Sequence, residues 1–247
     1  MEPETLSFPP APALTEPSAP PPAAPWTPRD VWFGLALLGL WLVLALASAL
    51  LVAYLRLDVD VGLLITLLEA VLVLPAWWLT MRKYKVGWGA LGLRRFSFLM
   101  LLLALGLMLV GYAVNMLNAL VLLLLDLRAD VDLAGLFSQL ERPWLFVLGG
   151  VVVAPVAEEI FFRSFVFAGL RDRYGWVKAG LISAAVFALI HLQPTMVVPY
   201  FALGFLFALL YHQSRSIWPV IAMHAAINGI GLAAAYFLSR MNLVPGG

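Results

Sequence analysis

The chain has 247 residues, 63% of them hydrophobic and 12% charged, with a formal net charge of +1 and a mean hydropathy of +0.96. Soluble domains average about 45–50% apolar and about 25% charged residues, so this composition predicts an all-α polytopic transmembrane bundle and excludes a soluble globular enzyme. The balanced charge points away from nucleic acid, and the absence of cysteine excludes disulfides, thiolate metal sites and a cysteine nucleophile.

Residues 1–28 hold ten of the seventeen prolines, together with three glutamates. Proline lacks an N–H and breaks helices, so this segment reads as a disordered Pro-rich tail. It has no basic region followed by an apolar run, and a cleaved signal peptide is not expected. Residues 29–247 form the transmembrane domain.

About 20 apolar residues cross a bilayer, and about seven spans are expected. They are Val31–Leu55, Val61–Met81, Phe96–Leu125, Trp144–Leu170 with a kink at Pro155, Trp176–Met196, the short Val197–Tyr211, and Ile217–Leu238. Pro194 and Pro199 interrupt the fifth-to-sixth boundary, where a re-entrant element would fit.

Lys and Arg set the orientation. Arg29, the run Arg82, Lys83, Lys85, Arg94 and Arg95, the group Arg171, Arg173 and Lys178, and Arg215 fall on one side. The third-to-fourth linker on the other side is acidic, with Asp126, Asp130, Asp132 and Glu141. The expectation is a membrane protein with its N-terminus in the cytoplasm. Within the second linker, Val86–Arg95 carries Trp88, Leu91 and Leu93 between basic ends and is expected to lie in the interface.

Few ionisable groups remain inside the spans: Glu69, Glu158, Glu159, Arg163, His191 and His224. A charge at the bilayer centre costs about 2.5–3.5 kcal/mol, so such residues face the interior and mark function. Glu159 and Arg163 are four apart on a helix and can pair, while Glu158 is rotated about 100° away and stays free. Glu158 precedes Arg171 by thirteen residues and His191 follows Lys178 by thirteen, roughly 20 Å of helix in each case. His224 and Asn228 follow Arg215 by nine and thirteen residues, roughly 13 and 19 Å. Three helices therefore bring polar groups to one level. Glu69 has no evident partner: snorkelling, pairing with a polar group and lining the site stay open beside interior packing, the favoured reading.

Glu158 fits a general base and His191 a group that shares the proton of a water. His224 and Asn228, one turn apart, fit donors to a developing oxyanion. Phe187, one turn before His191, would pack beside the site and limit water. The same groups could instead hold a divalent metal such as zinc, with Glu158, His191 and His224 as ligands. The residues leave both mechanisms open. No H-E-x-x-H occurs, no aspartate lies within a span, and neither Ser164 nor Ser183 has a G-x-S-x-G context.

Glu158-Glu159-x-x-x-Arg163, Phe187-x-x-x-His191 and His224-x-x-x-Asn228 resemble, in order and spacing, the three signature motifs of the CPBP family. That family joins CAAX prenyl endopeptidases to bacteriocin-processing and immunity (Abi) proteins. The resemblance covers about residues 85–240, with a protease-like core at about 96–240, and the stretch Gly87–Arg95 is similar to the linker before the core in bacterial members. It implies an intramembrane endopeptidase that hydrolyses peptide bonds in or beside the membrane, dependent on a glutamate or a metal. Glu158 and His191 would then activate water, and His224 and Asn228 would stabilise the oxyanion. Glu159 would assist, with Arg163 and Phe187 shaping the site. Its partners would be membrane lipid and a peptide or protein substrate. The alternative on the same fold is a non-catalytic scaffold or immunity protein. A transporter is disfavoured by the lack of an internal repeat.

Overall fold

The computed structural model describes residues 23–128 and 132–241. The tail expected over 1–28 therefore falls, for residues 1–22, outside the described residues, and so does Asp130. Of the described residues 83% are helical and none lies in a strand. In chain order the helices are α1 (Pro28–Leu55), α2 (Val61–Arg82), α3 (Leu99–Leu124), the short α4 (Leu133–Gln139), α5 (Pro143–Tyr174), α6 (Trp176–Ile190), α7 (Pro194–Ser214) and α8 (Trp218–Arg240). All but α4 and α6 are long and apolar enough to cross a membrane. This is an integral membrane protein.

Local chemistry sets the helix starts. Thr27 and Asp30 form a capping box at α1, with Pro28 at the first helical position. Asp60 caps Leu63 N–H at 3.0 Å, and Asp132 caps Gly135 N–H at 2.9 Å. α4 lies in the stretch expected to be a linker. It packs on α8 through Phe137, whose ring meets Phe146 and Tyr236 edge-on.

The fifth span differs from expectation. α6 stops at Ile190 instead of Met196, because Leu192 takes a left-handed conformation (φ 53°) and Pro194 follows. A single 3-10 turn, Pro194–Met196, then opens α7, so the break is a tight hairpin and no re-entrant helix forms. The fifteen residues of α6 rise about 22 Å, short of the ~30 Å hydrocarbon core. Asn118 of α3 reaches the hairpin, donating to the Thr195 carbonyl at 3.0 Å. α6 and α7 touch closely at Gly204, where a Cβ would lie 2.9 Å from Ala184 Cα.

α5 is the central helix. Every residue from 157 to 170 is buried, and α2, α6 and α8 pack around it. On either side of Pro155 it carries widened π-helical turns, at Gly149–Val153 and Ile160–Phe167. Widened turns leave carbonyls short of donors, and in lipid each must be satisfied. Ser183 Oγ donates to Phe162 O at 3.0 Å, and Trp26 Nε1 donates to Phe165 O at 2.9 Å. Trp26 belongs to the stretch read from sequence as tail. Its indole is 3% exposed and packs against Gly169 and Val31, so residues 23–27 are docked on α5.

The linker between α2 and α3 is pinned by hydrogen bonds to three of its carbonyls. Ser164 Oγ donates to Leu91 O at 2.5 Å, Ile217 N–H to Gly92 O at 2.9 Å, and Ser216 Oγ to Arg94 O at 2.7 Å. Gly92 is required there: its φ is +80°, and a Cβ would meet the Tyr211 hydroxyl at 2.6 Å.

Candidate active site

The buried polar groups of α5, α6 and α8 meet in the middle of the bundle. Glu159 is the pivot. Its Oε2 lies 3.0 Å from Arg163 Nε, an ion pair with both side chains fully buried. Its Oε1 lies 2.7 Å from His224 Nδ1. A carboxylate paired to a guanidinium accepts hydrogen bonds, so Nδ1 carries the proton and Nε2 is turned the other way. There it faces Glu158, with Oε2 at 3.9 Å. Glu158 is buried, and its Oε2 has no hydrogen-bond partner among the described residues.

Arg163 is held by more than its ion pair. Its Nη2 donates to the Gly204 carbonyl at 3.2 Å. Its guanidinium lies 4.5 Å from the centre of the Phe187 ring and 4.9 Å from that of Phe207, contacts in which a cation is drawn to the ring faces. Phe207 also stacks on His224 at 4.8 Å.

His191 ends α6. Its Nδ1 lies 2.7 Å from the Phe187 carbonyl. A carbonyl only accepts, so this nitrogen is the donor and Nε2 keeps the lone pair. Phe187 sits between the two imidazoles, with ring centres 4.7 Å from His191 and 6.0 Å from His224. It packs beside the site as its spacing implied.

Asn228 lies one turn beyond His224 and has a local partner. Ala154 N–H reaches back five residues to Gly149 O. The next donor in that register is Pro155, which has no N–H. Asn228 Nδ2 supplies the missing bond to Gly150 O at 2.8 Å, and keeps its second amide hydrogen.

Two further residues join the cluster. Tyr200 of α7 stacks on His191 at 4.2 Å, and its hydroxyl donates to Gln193 at 3.1 Å. Glu69 lies on α2, which packs against the turn of α5 that carries Glu158. Both carry a signal in the sequence. Glu69 precedes Arg82 by thirteen residues, the same interval as Glu158 to Arg171, so the depth argument reaches it too. Tyr200, Gly204, Phe207 and Tyr211 recur at helical spacing and mark the inward face of α7.

The donor set does not fit a metal as arranged. Among the described residues no three His, Asp or Glu side chains converge as ligands. Both imidazole Nδ1 atoms are hydrogen-bonded, one to a carbonyl and one to Glu159, which leaves Nε2 of each ring as the nitrogen that could face a ligand.

Residues 140–230 match the family described as type II CAAX prenyl endopeptidase Rce1-like. The match begins just before α5 and ends within α8, enclosing all three motifs. The chain is also 36% identical over 84 residues to the putative membrane peptidase YdiL of Bacillus subtilis (strain 168). That alignment covers 34% of this chain and 34% of the relative, so it spans about a third of either length. No solved structure matches the chain. Residues 140–230, which hold Glu158, Glu159, His191 and His224, are thus similar to CAAX-type membrane endopeptidases, and this similarity supports assigning them to the CPBP family.

Proposed function

We propose that the protein is a membrane endopeptidase in which Glu158 is the general base. The observation that carries this is the buried Glu158 carboxylate, whose Oε2 has no partner and lies 3.9 Å from an imidazole oriented by a second carboxylate. The Rce1-like match and the YdiL relative support the reaction class.

Glu158 takes a proton from water as the water oxygen bonds to the scissile carbonyl carbon. The lone pair on His191 Nε2 accepts the second water hydrogen and orients it. The carbonyl oxygen becomes an oxyanion, which is stabilised by the free amide hydrogen of Asn228 and by the His224 ring beside it. Glu158 then passes its proton to the amine nitrogen as the C–N bond breaks, which balances the reaction. Glu159, Arg163, Phe187 and Phe207 hold His224 in place. Phe187 and Tyr200 wall the site and restrict water. The excess of Lys and Arg on one set of linkers supports a cytoplasmic N-terminus.

The test is cleavage of a quenched membrane-anchored peptide library by the purified protein, with and without a chelator. Cleavage that survives chelation and is lost in Glu158→Gln is expected. An active Glu158→Gln enzyme would falsify the role. A chelator-sensitive enzyme would overturn the metal-free form of the mechanism.

A further inference from the structure

The mechanism leaves Glu69 of α2 unused, although that residue faces the helix that carries the catalytic acid. α2 and α5 run in the same direction and touch along one face. A Cβ on Gly62 would lie 2.9 Å from Phe146 N. One turn on, Thr66 Oγ1 lies 3.3 Å from Leu145 O and packs against Gly149. Glu69 is the next step of that stripe, after spacings of four and three residues, so it shares the face turned to α5. Because the contacts advance together along both helices, it is the end of Val61–Val71, with Glu69, that packs on Ala154–Glu159. The turn is held from its other side as well. Trp41 Nε1 of α1 donates to Leu68 O at 2.9 Å, and Leu72 N–H donates to Glu69 O at 3.0 Å.

Glu69 is half-buried, and its carboxyl makes no hydrogen bond or ion pair among the described residues. The charge balance around it is acidic. Glu69, Glu158 and Glu159 bring three carboxyls to this part of the bundle, and the guanidinium of Arg163 is already paired with Glu159. Glu158 is 7% exposed and keeps an oxygen without a partner. An acid left unpaired within a span costs free energy that an incoming cation recovers. In a site sheltered from water, a charge-assisted bond separates a cationic ligand sharply from its neutral isostere. α2 and α8 both flank Gly149–Glu159 of α5, so a peptide laid along that segment has Asn228 on one side and α2 on the other.

We propose that Glu69 selects substrates carrying a lysine or arginine side chain close to the scissile bond. The inference rests on the endopeptidase reading and deepens it: Glu158 acts on the water, and Glu69 receives the cationic head while the methylene stem lies along the apolar surface of α2. Glu69 is a specificity residue, and no bond is made or broken at it.

The test presents the full chain in nanodiscs with acylated, quenched peptides that carry Lys or Gln at each position in turn. Wild type prefers Lys at one position by about tenfold in kcat/KM. Fluorescence anisotropy of the same peptides, labelled, gives the Lys-to-Gln ratio for binding without any need for turnover. Glu69→Gln abolishes the preference in both readouts. A residue that only packs would lower both peptides alike and leave the ratio where it was. Acetylating the peptide lysine removes the preference of the wild type. If Glu69→Gln fails to fold, Glu69→Asp, which keeps the charge on a shorter stem, reads a reduced ratio. The proposal is overturned if wild type shows no Lys preference at any position, or if Glu69→Gln, or Glu69→Asp in its place, retains the preference in full. Lys-selective binding that depends on Glu69, without cleavage, would support this inference and sink the endopeptidase reading; cleavage without selectivity would do the reverse.

Discussion

Glu158 and Glu159 are neighbours in opposite surroundings. Glu159 is bound on both sides, to Arg163 and to His224, while Glu158 has a free oxygen. Replacing either by glutamine therefore has different consequences. Glu158→Gln lowers cleavage by about 10²–10⁴-fold or more and leaves the melting temperature unchanged. Glu159→Gln strands the buried Arg163 charge and destabilises the fold by about 3–5 kcal/mol. Parallel assays of turnover and thermal unfolding check the contrast; equal melting losses for the two would refute it. The three motifs and the pairing of Glu159 with Arg163 were legible in the sequence, because both follow from helical spacing. The duty of Asn228 toward Gly150 was not. It depends on a widened turn before Pro155 that shifts the hydrogen-bond register, and no side-chain pattern announces such a turn. Loss of activity on replacing Asn228 thus carries a packing cost of about 1–3 kcal/mol for the stranded carbonyl, besides any lost oxyanion donor.

At the scale of helices, α6 and α7 form the hairpin that delivers His191. Their closeness at Gly204 serves two purposes: it leaves no room for a Cβ, and it lets the Gly204 carbonyl accept from Arg163. Gly204→Ala is expected to push the helices apart at a cost of about 1–3 kcal/mol, with a fall in turnover that exceeds the loss of folded protein. Activity normalised to folded fraction measures this, and unchanged specific activity would argue that the hairpin does not position the site. The long apolar runs announced the other six helices within a few residues. The true end of α6 depends on the conformation of Leu192, and α4 is too short and too mixed in character to stand out from a linker.

For the molecule as a whole, the segment before α1 is part of the fold. Trp26 fills space beside Gly169 and satisfies a carbonyl of the widened central helix. Composition suggested a proline-rich tail running to residue 28, since a lone tryptophan between prolines gives no periodic signal. Removing residues 1–22, which keeps Trp26, serves as the reference. Removing residues 1–27 should destabilise the protein by about 3–5 kcal/mol, the usual loss for a buried aromatic. A truncation series in detergent reads the difference, and a flat series would mean that Trp26 contributes nothing.

The short reach of α6 also bears on the lipid. The fifteen residues of α6 rise less than an average hydrocarbon layer, so a crossing by α6 beside longer helices would leave the hairpin, and His191 with it, short of one edge of that layer. Lipid must thin locally to meet it, at a cost of fractions of a kcal/mol for each ångström of mismatch. Acyl-chain length therefore becomes a control on the enzyme. Turnover should be greatest in short-chain bilayers and decline as the chains lengthen, which would confine full activity to thinner regions of membrane.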